Sequence, residues 1–302
     1  MRKWNLTLNG RIIGGSNPPL TTKINIMHYI IQENVFREQH YNIIEESIKK
    51  LGFSYTKVRL FPFPFDKIVD LSIIPEDNNF NVDDLPDYNT DRKDVFVFGA
   101  IKLARIGAKM GWEPGSLMDQ NHDYMVYKDY WKDNLLNWDS KIHKLTDNFI
   151  WNKDEIKFIR PTKDNKAFTG KLFNQYEWED MVEHHLHNSK NEQFNENTEI
   201  QVGTPKEIYK EIRFWVVDGK VITGSTYKIG TEVIYTDMFE DEAKEFAQQM
   251  VDIYQLADAF VIDVCLTDKG WKIVECNCIN CAGFYKANMQ KVVMELEYFY
   301  NK

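Results

Sequence analysis

Apolar and polar positions alternate between two periods along this chain, and the switches mark its elements. The run INIMHYIIQ (24–32) is almost continuously apolar and predicts a buried strand. Residues 36–51 then place Ile43, Ile44, Ile48 and Leu51 on one helical face, and Gly52 follows as a C-terminal cap. FSYTKVRL (53–60) predicts the next strand, so the chain opens β-α-β, the pattern of a parallel sheet with a crossover helix. Pro62 and Pro64 break the chain, and the acidic stretch 76–94 reads as loop. DVFVFG (94–99) predicts a third strand that turns at Gly99 into a helix carrying Ile101, Leu103, Ala104, Ile106 and Ala108, closed by Gly111. Strand, glycine, helix is the layout of a doubly wound sheet. Gly99 is read as permitting the turn rather than as admitting a ligand at the helix N-terminus.

Residues 112–138 are crowded with aromatics, among them Trp112, Tyr124, Tyr127, Tyr130, Trp131 and Trp138, a stripe expected in core or subdomain contacts. From about 139 the pattern changes. Strands are expected near 147–151 and 156–160, a loop at 161–170 and a helix at 176–188. Strands follow at 200–203, 211–217, 220–228, 260–266 and 271–277, with helices near 240–256 and 284–300. His184, His185 and His187 point to different faces of the 176–188 helix, which makes them a surface cluster rather than a metal site. The expected organisation is a tail at 1–26, an α/β domain at 27–138, and an α+β domain at 139–302 whose two subdomains divide near 200. The tail looks foreign to the fold. Gly15-Ser16-Asn17-Pro18 is what one frame of a transfer-RNA T-arm (GGTTCAAATCC) encodes, which places the native start at Met27; an ordinary flexible tail is the alternative.

Bulk properties narrow the function. The 43% hydrophobic and 14% aromatic content belongs to a packed globular protein. A net charge of -9 argues against non-specific duplex binding but leaves room for a local basic pocket. No run has the length of a membrane-spanning helix. Four cysteines, three of them crowded as Cys276, Cys278 and Cys281, are not a disulfide framework, so a cytoplasmic location is expected, in a host cell if the gene is a phage's.

The strongest chemistry lies in the last hairpin. AFVIDVCL and WKIVECN flank Asp268-Lys269-Gly270, read as a three-residue loop with the glycine left-handed. That register pairs Thr267 with Trp271, Cys265 with Ile273, and Asp263 with Glu275; Asn277 projects from the face of Glu275. Opposed carboxylates within apolar runs repel unless one is protonated or a cation bridges them, and the set Asp, Glu, Asn suits magnesium. Cys276 and Cys278 fall on the other face, where they read as small buried hydrophobes rather than zinc ligands. In the preceding hairpin a loop Val217-Asp218-Gly219 is favoured, because it puts Ile212, Phe214, Val216 and Ile222 on one face and Glu211, Arg213, Thr223, Ser225 and Tyr227 on the other. Arg213 is read either as holding phosphate or acyl substrate, or as a surface partner of Glu211.

Asp263 followed by Glu275-Cys276-Asn277 resembles the Asp…Glu-x-Asn magnesium signature of the ATP-grasp superfamily, and the order of blocks from 94 to 290 is similar to a compact clade of it found in phages and bacteria. The resemblance implies a pre-ATP-grasp parallel-sheet domain followed by an ATP-grasp domain. It further implies ATP and magnesium as cofactors, with Asp263, Glu275 and Asn277 holding the metal. Arg160 takes the strand position, usually lysine in the superfamily, and Lys166 the loop position against the phosphates, with Arg213 as a third cation. Gln201 and Val202 meet the adenine edge through their backbone beside Gly203, and Glu211 joins the nucleotide site. Asn280 and Gly283 follow near the acceptor. The implied activity joins a carboxylate to an amine through an acyl phosphate, with small-molecule or peptide substrates and neither duplex nucleic acid nor membrane as partner. A kinase acting on a small molecule and a non-catalytic nucleotide-binding phage protein are the alternatives.

Overall fold

The computed structural model describes residues 26–35, 40–163, 167–188 and 194–302. The first sheet is built from β1 (His28–Gln32), β2 (Tyr55–Phe61), β3 (Lys67–Asp70), β4 (Asp94–Phe98) and β5 (Glu113–Gly115), in the order β3-β2-β1-β4-β5. β1 runs parallel to β2 and β4, and β4 parallel to β5; only β3 is antiparallel. Alternation along the strands splits the faces. Tyr29, Ile31, Phe96 and Phe98 pack against Ile44 and Ile48 of helix α1 (Asn42–Leu51). Ile30, Val95 and Val97 pack against Leu103 of helix α2 (Ile101–Met110) and Trp112. This is the doubly wound layout expected from the strand–helix periodicity.

A second sheet carries the chemistry. Its strands are β10 (Lys210–Val217), β11 (Lys220–Ile229), β12 (Glu232–Thr236), β13 (Ala259–Thr267) and β14 (Gly270–Cys278), ordered β12-β11-β10-β13-β14. One face, with Ile212, Phe214, Val216, Phe260 and Ile262, is covered by helices α5 (Asp241–Ile253) and α3 (Tyr124–Trp131). The other, with Trp215, Val217, Ala259 and Val261, packs on helix α6 (Met289–Tyr300) and through it on α1 and the first sheet. The third sheet, β6-β9-β7-β8, comprises β6 (Lys141–Lys144), β7 (Lys157–Pro161), β8 (Lys171–Phe173) and β9 (Glu199–Gly203), backed by helix α4 (Gln175–Asn188). Cys265, Cys276 and Cys278 are buried, and burial pushes the Cys265 thiol to about 12, so these thiols behave as packing groups.

Several expectations are corrected. Residues 147–151 are not a strand: the Phe149 ring instead lies between those of Trp151 and Trp178 of α4, and β6 supplies the sheet edge. α6 starts at Met289 rather than 284, where the Asn288 side chain accepts from the Lys291 N–H at 3.1 Å as an N-cap. Tyr124, Tyr127, Trp131 and Leu135 pack beneath the second sheet and not with the N-terminal one. Both hairpin loops have two residues. Asp218 and Gly219 take φ of 50° and 70°, a left-handed pair that turns the chain directly from Val217 to Lys220. The register then shifts by one between Trp215 and Val216, so Ile222 packs with the α6-side cluster and not beside Phe214. In the last hairpin Thr267 pairs with Gly270 (φ 86°), Leu266 with Trp271 and Val264 with Ile273; a bulge at Val274 then restores Asp263 opposite Glu275.

Candidate functional site

The register across the second sheet lines up Glu275, Asp263, Arg213 and Ser225 in one row on one face. Asn277 lies two residues further along that face, in the row with Val261 and Trp215. Asp263, Arg213 and Asn277 are buried. Each carboxylate faces an arginine, which offsets the repulsion between them. Arg213 Nε and Nη2 donate to the two oxygens of Asp263, both at 2.8 Å. Arg160 reaches over from β7 and its Nη2 lies 2.7 Å from Glu275 Oε2. Glu275 Oε1 accepts from Asn277 Nδ2 at 2.9 Å. Burial raises the Asp263 carboxyl pKa, and the Arg213 guanidinium opposes that rise. For Arg213, burial works against the charge but the Asp263 carboxylate outweighs it, so it stays a cation.

Arg213 is held from three further sides. Its Nη1 donates to the Gly283 carbonyl at 3.3 Å, and the rings of Tyr285 and Tyr227 lie 4.8 and 5.8 Å from the guanidinium carbon. Tyr285 has φ 50°, an unusual conformation for a bulky residue, and stacks on both Tyr227 and Tyr235. Glu211 is not the partner of Arg213. It accepts from Tyr227 Oη at 2.8 Å and pairs with Lys228 at 2.8 Å. Burial, then Asp263 and Glu211, push the Tyr227 phenol far above its ordinary range, so it remains a donor.

A cleft of 740 Å³ opens between the second and third sheets over this row. Arg160, Phe158 and Leu172 line it from the third sheet, and Glu211, Lys228 and Glu275 from the second. Lys163, Lys171 and Lys206 add cations to which the sequence reading gave no role. Gly170 also lines the cleft; a Cβ there would sit 2.7 Å from the Arg160 Cβ, so the close approach of the loop to Arg160 needs a glycine. Lys166 lies outside the described residues.

Two expected residues fall elsewhere. Gln201 and Val202 sit in β9 between β6 and β7, with Gln201 opposite both Ile142 and Arg160, so their backbone groups belong to the sheet and do not line the cleft. Lys206 and Ile208, on the connection after β9, do line it. Asn280, in the loop after β14, is a structural clamp. It is buried, its Nδ2 donates to the carbonyls of Val97 and Gly115 at 2.6 and 3.3 Å, and its Oδ1 accepts from the Leu117 N–H at 2.8 Å.

Among the described residues no group of three or more His, Cys, Asp or Glu is placed to hold a metal ion. The face nevertheless offers carboxylate oxygens from Asp263 and Glu275 and an amide oxygen from Asn277. That is a hard donor set suited to magnesium, which commonly binds through one or two carboxylates together with phosphate oxygens.

No curated protein sequence matches the chain. Solved structures match its fold. D-cycloserine synthetase superposes with a TM-score of 0.55 at 10% identity, over 91% of this chain and 100% of that one. A RimK domain ATP-grasp protein from Sphaerobacter thermophilus gives 0.53 at 12%, over 90% and 98%. The D-alanine–D-alanine ligase of Coxiella burnetii gives 0.52 at 13%, over 90% of each chain. The family model for the ATP-grasp domain, R2K clade family 3, matches residues 79–296, which contain every residue of the cleft and of the Glu275–Asp263–Arg213 row. With most of its length inside that match, the chain belongs to the ATP-grasp enzymes, in family 3 of the R2K clade.

Proposed function

We propose that this enzyme joins a carboxylate to an amine with ATP, through an acyl phosphate, in the cleft between the second and third sheets. The observation that carries it is the pair of opposed carboxylates, Asp263 and Glu275, each in contact with an arginine, with Glu275 and Arg160 on the wall of a nucleotide-sized cleft and the buried Asp263–Arg213 pair behind them. ATP binding follows from the family. The adenine edge fits against the connection 204–208 rather than against β9, because that connection carries cleft-lining residues and is not paired as a strand. The triphosphate meets Arg160, Lys163 and the loop closed by Gly170.

Asp263, Glu275 and Asn277 would hold magnesium, which supplies positive charge against the phosphate oxygens. Phosphoryl transfer asks for positioning and charge stabilisation more than for covalent help from the protein. Arg160 and Arg213 supply both. Each is held by a carboxylate, and each can exchange that partner for a phosphate or acyl oxygen without leaving its place on the sheet. Attack of the substrate carboxylate on the γ-phosphate releases ADP; the amine then attacks the acyl carbon and phosphate leaves. Tyr227 stays a phenol donor beside this centre.

Replacing Glu275 with Gln keeps the Asn277 contact geometry and removes one charge. ADP release is expected to fall by about 100-fold or more, with unchanged circular dichroism. Hydroxylamine should trap a hydroxamate with the native enzyme and a pool of carboxylates. Normal turnover in Glu275→Gln refutes the site, and ADP release without hydroxamate points to hydroxyl phosphorylation instead.

A further inference from the structure

On the far side of the third sheet, away from the cleft, lies a groove that the ligase reaction leaves unused. Arg160 and Phe158 face the cleft, whereas Ile159 and Phe173 face α4. Beyond that core the connection after β6 and the first half of α4 leave an opening of 590 Å³, continued by a second of 390 Å³ that shares Trp151 and Gln175.

Its floor is aromatic. Phe149 lies 5.4 Å from Trp151 and 6.1 Å from Trp178, ring centre to ring centre. Its walls are mainly acidic: Asp147, Glu179 and Glu183 line the wider part, with no lysine or arginine among the described residues there, and Asp154 and Glu155 line the narrower part beside one cation, Lys153. The rim exposes large apolar side chains, with Ile150 86% and Tyr176 77% accessible. The chain itself shows how this surface takes a cation. Lys157 pairs with Glu155, and its ammonium lies 5.4 Å from the Trp151 ring centre.

We propose that this groove docks an extended peptide segment of a partner protein in which lysine or arginine side chains stand next to apolar ones. Ammonium or guanidinium groups meet Asp147 and Glu179 over the faces of Phe149 and Trp151, while the apolar neighbours cover Ile150 and Tyr176. The acidic walls exclude a nucleotide or nucleic acid by like-charge repulsion. A second copy of this chain, with net charge -9, is disfavoured for the same reason. The proposal stands apart from the cleft chemistry, since none of these residues lines the cleft.

The test uses the full chain and two fluorescent peptides of equal length, one alternating Lys and Leu, the other Glu and Leu. Anisotropy should show saturable binding of the Lys/Leu peptide alone, weakened by salt. The double variant Asp147→Lys, Glu179→Lys should bind it at least about tenfold more weakly, with ADP release unchanged. Trp151→Ala should also weaken binding while circular dichroism stays native. Equal binding of both peptides, no binding of either, or native affinity in the double variant overturns the proposal. So does a sedimentation-detected dimer that the double variant dissolves, which would assign the face to a second copy.

Discussion

At the residue scale, the row Glu275–Asp263–Arg213 holds two carboxylates side by side only because cations come from two directions. Arg213 is on the neighbouring strand, and Arg160 crosses the cleft. The Arg213–Asp263 pair is buried, so removing one partner leaves an uncompensated charge out of water. Arg213→Met is therefore expected to cost about 3–5 kcal/mol of stability, measured by urea unfolding. The double variant Arg213→Met, Asp263→Leu should recover most of that loss while ADP release stays absent. A loss below about 1 kcal/mol in the single variant would mean that the pair does not hold the face together. The sequence made Asp263, Glu275 and Asn277 legible because strand alternation and a short hairpin fix which side chains share a face. It left Arg213 open between Glu211, two residues away, and a phosphate or acyl substrate, and did not raise Asp263, fifty residues away. Register between β10 and β13 decides for Asp263.

At the scale of elements, the strands that periodicity found lie mainly inside sheets, and most of those it missed lie at sheet edges. β3 and β5 end the first sheet, β12 ends the second, and β6 and β8 end the third. An edge strand has one partner and few residues, so little in its pattern separates it from loop. Both hairpins gave the correct face for the site residues from a wrong loop length: in the last one a bulge returned Asp263 to its place opposite Glu275, and in the preceding one a bulge moved the partner of Arg213 from the expected Thr223 to Ser225, which shares its face. β1 carries an element-scale prediction. His28 is held by Ser54 and Thr56 hydroxyls of β2's approach and strand, both at 3.0 Å. Burial, then Arg92, lower its pKa from the ordinary 6.5, with Asp94 opposing. Below about pH 6.5 the unfolded chain takes up a proton that the folded chain refuses until lower pH, so stability falls as pH drops through that window. His28→Gln should flatten stability against pH between about 7 and 5 in denaturant titrations; an unchanged slope would assign the acid loss to other groups.

At the scale of the whole molecule, the first and second sheets meet at the loop that follows β14. Asn280 ties that loop to the carbonyls of β4 and β5 and to the chain after β5, and its own carbonyl accepts from the Gly99 N–H at 2.9 Å. Arg213 meets the same loop at Gly283. The strand bearing Glu275 and Asn277 is thereby fixed to the N-terminal sheet as well as to its own. Asn280→Ala leaves a buried carbonyl pair and one N–H without their partner, each worth about 1–3 kcal/mol. Hydrogen exchange should show β4 and β5 losing protection while α5 and the α5-facing strands keep theirs. Uniform loss across the chain would mean that the sheets unfold as one body and that the clamp is not local. No described helix is long and apolar enough to cross a membrane.

What the sequence determined by itself were the local quantities: where the period changes from 2 to 3.6, which glycines stop an element, and which oxygen donors share a strand face. These depend on residues near one another along the chain. Tertiary structure alone decided which cations stand against the two carboxylates, that Asn280 clamps two sheets, and that the backbone of Gln201 and Val202 belongs to a ladder. Each of those outcomes joins segments tens of residues apart. The nearest compatible charge along the chain is then only one candidate among several, and packing selects the partner.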